Sequence, residues 1–398
     1  MRISGMTRRD FLIASATVVS ARSLVAAASR PRFRVGVIGH TGRGNYGHGL
    51  DTMWKHLPDT EVVAVADPVT KGREDAARRL GVEKAYSSYE EMLARESLDI
   101  IAVCPRFVDE RHVMLLAAAR AGVRGIYVEK PLARCPREAD EIVAACAARG
   151  VRVAVAHRNR WHPVVPVVQR LISQGALGRI LEMRARGKED VRGGVEDMWV
   201  LGVHLFGLAH VLGGYPGACM ATVLQAGRPV VRGDLRDGPE GIGPIAGDAV
   251  HARYEMPGGF PLFFDSLQGA GSRDAGFGLQ IVGTEATLDF RADQEIAARL
   301  LAGRPVPPGR EVRRWLPVTS AGVDRPEPIP DLGRQVLEHV FAGRDLIAAI
   351  GEGREALCSA RDAAITIEMS CAALESHRQD GRRVPLPLTV RDNPFLIL

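Results

Sequence analysis

The feature that most constrains this chain is an alternation, between residue 34 and about residue 156, of short apolar runs with Ala-rich helical segments. Residues 34–38, 61–66, 100–103, 126–128 and 153–156 read as strands, and 70–80 as a helix. Parallel neighbours need a crossover, usually helical and right-handed, so the pattern points to a doubly wound parallel sheet of the Rossmann kind.

The pattern then changes. After a helix near 164–174, the runs 180–186, 218–224, 249–254, 260–267 and 279–282 are longer and separated by Gly- and Asp-rich turns. They predict a second, α+β domain on a large, mostly antiparallel sheet. A helical stretch at 199–212 is embedded in it, a Pro-rich segment at 305–330 reads as a connecting loop, and helices at 332–350 and 359–377 close the chain. The expected division is a leader at 1–28, a dinucleotide-binding domain at 31–156, and a substrate domain at 157–398 whose C-terminal helices pack back. Roughly 150 residues per domain agrees with two folded parts.

The first strand runs into Gly39-His40-Thr41-Gly42-Arg43-Gly44-Asn45-Tyr46-Gly47. A dinucleotide fingerprint is G-x-G-x-x-G between a strand and a helix. Gly39 and Gly44 hold its first and third places, Thr41 stands at the second, and Gly42 beside it supplies room for a pyrophosphate. A helix is expected to open near Gly44. Gly39, Thr41, Gly42, Gly44 and Asn45 are therefore candidate cofactor ligands, with a ligand-free tight turn as the alternative. Asp67 ends the second strand, where a carboxylate can accept from ribose hydroxyls; capping a helix before Pro68 is its competing role. Lys71 and Arg73 follow closely and could pair with a 2′-phosphate, which leaves NAD and NADP both open.

Glu129-Lys130-Pro131 lies at the carboxyl end of a parallel strand, the edge where open α/β sheets bind ligands. Together with the Gly-rich turn, Asp67, Gly202-Val203-His204 and His157-Arg158-Asn159-Arg160-Trp161-His162-Pro163, it resembles the Gfo/Idh/MocA oxidoreductase family. The resemblance covers nearly all of the chain from Arg34 onward. It implies that Lys130 contacts both the nicotinamide and the reacting hydroxyl, and that His204 serves as acid or base on that hydroxyl. It implies cofactor contacts at Pro105, Glu129, Lys130 and Arg160, and substrate contacts at Lys130, Arg160, Trp161 and His204. Lys130 is one of only five lysines against 47 arginines, and a desolvated lysine can transfer protons near neutral pH where an arginine cannot. The bland alternatives are a solvated amine at 130, a structural histidine at 204, and a surface loop at 160–161. The chain departs from the family at two places: Val200 and Gly207 stand where the family usually has aspartates.

The N-terminus adds an address. Arg8-Arg9-Asp10-Phe11-Leu12, an apolar run to Ala21 and Val25-Ala26-Ala27-Ala28 resemble a twin-arginine export signal. Export to a periplasm, or membrane attachment through an uncleaved N-terminus, is expected, with no span in the mature chain. The whole chain carries 52 basic and 47 acidic residues, but the first 28 hold four arginines and one aspartate. The nearly balanced remainder argues against a nucleic-acid partner. Six cysteines are scattered with no C-x-x-C pair and no His at zinc-ligand spacing, so no metal site is expected.

The combined expectation is an exported NAD(P)-dependent oxidoreductase acting on a sugar, sugar derivative or cyclitol, a homo-dimer or homo-tetramer that holds its cofactor tightly. The alternatives are a redox-neutral NAD-dependent glycoside hydrolase or lyase, working by oxidation, elimination, addition and reduction, and a non-catalytic nucleotide- or sugar-binding relative.

Overall fold

The structure, a computed structural model, describes residues 33–271, 277–292, 294, 297–303 and 313–398. The expected leader at 1–28 lies outside the described residues.

Six strands, β1 (Phe33–Ile38), β2 (Thr60–Ala66), β3 (Lys84–Tyr86), β4 (Ile100–Val103), β5 (Gly125–Val128) and β6 (Arg152–Val155), pair in parallel in the order β3-β2-β1-β4-β5-β6. Every residue of β4 and β5 is buried, as a sheet covered on both faces requires. The crossovers carry α1 (Thr70–Leu80), α2 (Tyr89–Arg95), α3 (Arg111–Arg120) and α4 (Pro136–Ala147). The Ser88 hydroxyl accepts from the Glu90 and Glu91 amides to start α2, and Pro136 opens α4 at a position where its missing N–H costs nothing.

One expectation fails here. No helix opens at Gly44; the chain makes turns from Thr41 to Thr52 and then a single 3-10 turn at Met53–His56. Gly42 and Gly44 at φ 87° and 84°, with Asn45 at 53°, hold left-handed conformations that a right-handed helix cannot contain. The loop packs inward instead: a Cβ at Gly44 would lie 2.4 Å from the Arg106 amide nitrogen.

The second sheet has the order β18-β17-β16-β15-β14-β7-β13-β12-β8-β19, with a short β9 on β8. Its members are β7 (Ile180–Arg186), β8 (Ala218–Gln225), β9 (Arg228–Pro229), β12 (Ala249–Glu255), β13 (Pro261–Leu267), β14 (Gly278–Gly283), β15 (Ala286–Arg291), β16 (Ala298–Ala302), β17 (Leu316–Thr319), β18 (Gly322–Val323) and β19 (Val384–Pro385). Only β7 and β13 run parallel. A separate hairpin, β10 (Arg236–Asp237) with β11 (Pro244–Ile245), sits between β9 and β12. The segment 305–330 is not a plain loop, since β17 and β18 lie within its described part.

The remaining helices are α5 (Val164–Ser173), α6 (Val195–Asp197), α7 (Val203–Gly213), α8 (Leu332–Leu337), α9 (Val340–Glu352) and α10 (Ala360–Arg378). The expected helix at 332–350 is broken at His339, which has a left-handed φ of 57°. Between α6 and α7, Met198–Gly202 forms a π turn, so the helical stretch at 199–212 begins four residues earlier than expected. The whole run Val195–Gly213 is long and apolar enough to cross a membrane, yet most of it is buried inside the fold.

The two sheets are tied together by the C-terminal helices. The Tyr254 hydroxyl of β12 donates to the Met369 carbonyl of α10, and the Ala221 amide of β8 donates to Ser376. Ile350 of α9 presses on Gly125 of β5, where a Cβ would come within 2.6 Å of it. All six cysteines are buried and unpaired, and among the described residues no group of His, Cys, Asp and Glu is placed to hold a metal.

Candidate active site at the carboxyl edge of the parallel sheet

Strand order reverses between β1 and β4, which opens a crevice at their carboxyl ends. On its β2 side lies a cavity of about 280 Å³ whose lining includes Gly39, His40, Asp67, Ser88, Glu90 and Glu110. Asp67 is buried beneath it. Its carboxylate accepts from the Thr41 amide at 3.0 Å, the Thr41 hydroxyl at 2.8 Å, the Tyr46 hydroxyl at 2.9 Å and the Val69 amide at 2.9 Å. These four donors fix the turn around Asp67, which also lines the cavity. The carboxylate's bond to the Val69 amide closes a turn just before α1 but does not cap the helix, whose N-cap position is Val69 and has no side-chain cap.

Tyr46 was not foreseen. Its ring lies flat against Gly39, where a Cβ would come within 2.2 Å, and burial with the Asp67 carboxylate pushes its phenol far above the usual range. Gly42 has open space where a Cβ would stand, while its amide donates to the Asn45 side chain at 3.0 Å. The neighbouring cations are engaged elsewhere: Lys71 pairs with Asp75, and Arg73 donates to the Asp67 carbonyl and the Thr70 hydroxyl.

On the β5 side, Glu129 and Lys130 end the strand, and the Lys130–Pro131 bond is cis. Glu129 is buried; burial alone raises its carboxyl, but the His48 hydrogen bond and the charges of Lys130, His48 and Arg111 outweigh this and hold it at about 2. Its other oxygen accepts the Lys130 amide at 2.5 Å. The Lys130 side chain is also buried, and its ammonium donates to the Val200 carbonyl at 2.9 Å. Burial lowers its pKa against the raising effect of Glu129. Thus the main chain of the π turn, at Val200, meets the lysine.

Arg111 explains why these loops hold their shape. Fully buried at the start of α3, its guanidinium donates to the Pro131 carbonyl, to Pro105 at 2.7 Å and to Arg106 at 3.0 Å. One side chain thereby joins the loops after β4 and β5. Burial brings it down to about 10. Pro105 contributes through this carbonyl.

His204, on the first turn of α7, is buried, and its Nδ1 has no hydrogen-bond partner. Its ring centroid is 5.3 Å from that of His157 and 6.1 Å from that of Phe277. Burial and nearby cations push His204 well below the ordinary imidazole range. Asp197, too far along the helix to orient His204, turns instead to Ser266 at 2.6 Å and to the Glu189 amide.

Arg160 and Trp161 find partners on the C-terminal helices and the segment between them. The Arg160 guanidinium donates to the Leu357 carbonyl at 2.5 Å and lies 3.7 Å from Asp362, and the Trp161 indole donates to Asp345 at 2.9 Å while packing edge-on to Tyr127. Both point into the α9–α10 side of the fold, because those helices supply the acceptors; Trp161 is a core residue. Tyr46, His48, Arg111 and His157 were missed as site residues. None stands in a motif that names its role, and each acquires one only from partners distant in sequence.

The arrangement suits a nicotinamide dinucleotide. An adenosine-sized cavity lined by carboxylates flanks the switch point, and three buried imidazole nitrogens, two on His157 and one on His204, have no partner beside Lys130. Residues 33–157 match the Gfo/Idh/MocA oxidoreductase family, NAD-binding Rossmann fold.

D-apiose dehydrogenase of Paraburkholderia graminis is 32% identical over 174 residues, 40% of this chain and 45% of that one. Trans-1,2-dihydrobenzene-1,2-diol dehydrogenase of Oryctolagus cuniculus is 34% identical over 142 residues, 35% and 43% of the two chains. This chain thus aligns with less than half the length of these two relatives. Levoglucosan dehydrogenase of Pseudarthrobacter phenanthrenivorans is 25% identical over 328 residues, 75% of this chain and 82% of that one. A solved levoglucosan dehydrogenase in complex with NADH shares the fold, with a TM-score of 0.73 at 21% identity over 90% of this chain and 100% of that one.

Proposed function

We propose that this chain is a Gfo/Idh/MocA oxidoreductase throughout, an NAD-dependent dehydrogenase that oxidises a secondary hydroxyl of a sugar or sugar derivative. The observation that carries the reading is Lys130: a buried amine at the carboxyl end of β5, drawn below its ordinary pKa and held by a main-chain carbonyl rather than a carboxylate. Without an anion to fix its proton, such an amine is poised to exchange one.

When bound, the oxidised nicotinamide supplies the acceptor for a hydride. The chain does the rest. Asp67 and Glu90 place negative charge on the adenosine cavity, with Glu110 beside them in an ion pair with Arg43, which favours a ribose diol over a 2′-phosphate. Lys130 holds the substrate hydroxyl, His204 takes its proton, and burial excludes water from both. The sugar dehydrogenases among the relatives support a carbohydrate substrate.

The test begins with the purified protein. Its ligands are released by acid and identified by mass spectrometry, and NADH formation is followed with levoglucosan, D-apiose and a panel of free sugars and glycosides. Bound or bindable NAD and NADH formation with a sugar support the reading. Glycoside cleavage without net NADH would assign the redox-neutral chemistry instead, and failure to bind any nicotinamide cofactor would leave only a binding protein.

We further propose twin-arginine export, resting on Arg8-Arg9 and the apolar run behind them. Replacing both arginines by lysine should retain a reporter fusion in the cytoplasm; unchanged export refutes this. A homo-oligomer is the expected assembly, to be read by light scattering.

A further inference from the structure

His157 follows β6 and is not needed by anything derived so far. It is buried, and neither ring nitrogen has a hydrogen-bond partner. A buried polar group left so is costly, and a native protein rarely tolerates it without a use. Its surroundings are specific. The Nδ1 atom lies 3.1 Å from the point where a Cβ at residue 207 would stand, so Gly207 leaves the ring close against α7 where a larger residue would press on it. On the same helix, one turn earlier, stands His204, whose Nδ1 is likewise buried and unpartnered. The ring centroids are 5.3 Å apart and tilted by 52°. The two rings are not hydrogen-bonded to each other as they stand, but at that separation turning one ring brings facing nitrogens to about 3 Å, within hydrogen-bond reach.

The two imidazoles stand in different fields. The charged groups that bear most on His204 are His157, Lys130, Arg158 and His48, all of them basic. Those that bear on His157 are Lys130 and Arg160, opposed by the carboxylates Glu129 and Asp362. Burial and nearby cations hold both imidazoles below the ordinary range, His157 at about 3, but a proton on His157 is also attracted by two carboxylates, Glu129 and Asp362, whereas the leading charged neighbours of His204 are all basic. Glu129 in turn bonds His48, whose side chain is 42% exposed.

We infer that His157 is the second member of a proton-sharing pair with His204, receiving the proton that His204 takes from the substrate hydroxyl. This rests on the dehydrogenase reading. As the substrate C–H hydrogen leaves with its electron pair for the oxidised nicotinamide, the O–H bond pair becomes the second bond of the new carbonyl. The hydroxyl proton goes to one nitrogen of His204. The proton on the buried Nδ1 of His204 passes to a ring nitrogen of His157, so His204 ends neutral in its other tautomer and His157 ends as the imidazolium that holds the substrate's proton. His157 is a positioning and proton-holding residue; His204 is the group that meets substrate.

The test has two arms. In protein labelled with 15N-histidine, the His204 ring nitrogens are observed by NMR with and without NAD+, in the wild type and in His157→Phe and His157→Gln. The pair predicts that both variants change the His204 tautomer signature while NAD+ affinity stays within about twofold. Where levoglucosan or another sugar is turned over, both variants should lower kcat by about tenfold or more. His157→Gln keeps a hydrogen bond but cannot carry a proton, so full turnover in that variant overturns the inference. So does a His204 spectrum indifferent to residue 157 in a folded variant. If the dehydrogenase reading itself fails, the wild type forms no NADH from any sugar, while the spectral coupling between the two histidines persists and still supports the pair.

Discussion

The Lys130 ammonium and the Val200 carbonyl, seventy positions apart in the chain, meet at 2.9 Å in the buried crevice between the two sheets. A charged donor is thereby held by a neutral acceptor, which positions the amine without locking its proton in place. A carboxylate there would raise the lysine pKa.

Lys130→Met should lower kcat/KM by about 10²–10⁴-fold, the usual contribution of a proton-transferring side chain. The melting temperature should stay level or rise, since an apolar chain of similar length no longer buries a charge. On the proposed roles His204 takes the hydroxyl proton in its neutral form, and burial and nearby cations lower its pKa. Activity should therefore rise with pH along a limb below the free histidine value of about 6.5. A limb at or above that value would count against His204 as the base.

Cofactor choice follows from the cavity lining. NAD+ should bind at least about tenfold more tightly than NADP+, a difference of about 1.4 kcal/mol, because Glu90, Glu110 and Asp67 repel a 2′-phosphate. Glu110→Gln should narrow the gap. Fluorescence titration with both cofactors decides it, and a preference for NADP+ would reverse the argument.

Tyr46→Phe removes one of four donors from the buried Asp67 carboxylate. The folded state should lose about 1–3 kcal/mol, read as a lower denaturant midpoint with an unchanged slope. No loss would mean that Asp67 replaces the donor at no cost.

Arg111→Met strips one hydrogen-bond donor group from the carbonyls of Pro105, Arg106 and Pro131 at once. Stability should fall by about 3 kcal/mol, the scale of hydrogen bonds to a charged group. Folded variant should bind NAD+ more weakly, because the loops after β4 and β5 lose their common anchor. Arg111→Lys, with one compact charge in place of a planar fork, should fall between the two. Thermal melts and NAD+ titration on the same samples separate the effects.

Much of the fold was legible because its signals are local. The runs at 100–103 and 180–186 are strands with the bounds expected of them, and 70–80 is the expected helix. Side-chain period and apolar length suffice for such elements. Where the reading failed, distant atoms outweighed the local pattern. The turn at Gly44 follows a strand and has fingerprint spacing, yet its glycines pack against Arg106 rather than opening a helix.

The candidate site divides along the same line. Lys130 and His204 could be named from the sequence because each stands in a short motif at the end of a strand or on a helix. The partner of Trp161 was not legible, since nothing near it announces that Asp345, on another helix, takes its indole N–H. Nor does anything near His157 announce that a glycine fifty positions later makes room for its ring beside His204. The sequence by itself determined the doubly wound sheet, the second sheet and the strand edge at which chemistry is possible, because periodicity and turn residues act over a few neighbours. Only the tertiary structure decided which side chains Asp67, Arg111, Lys130 and His157 meet, because hydrogen bonds and buried charges are satisfied through space, by groups that chain order does not bring together.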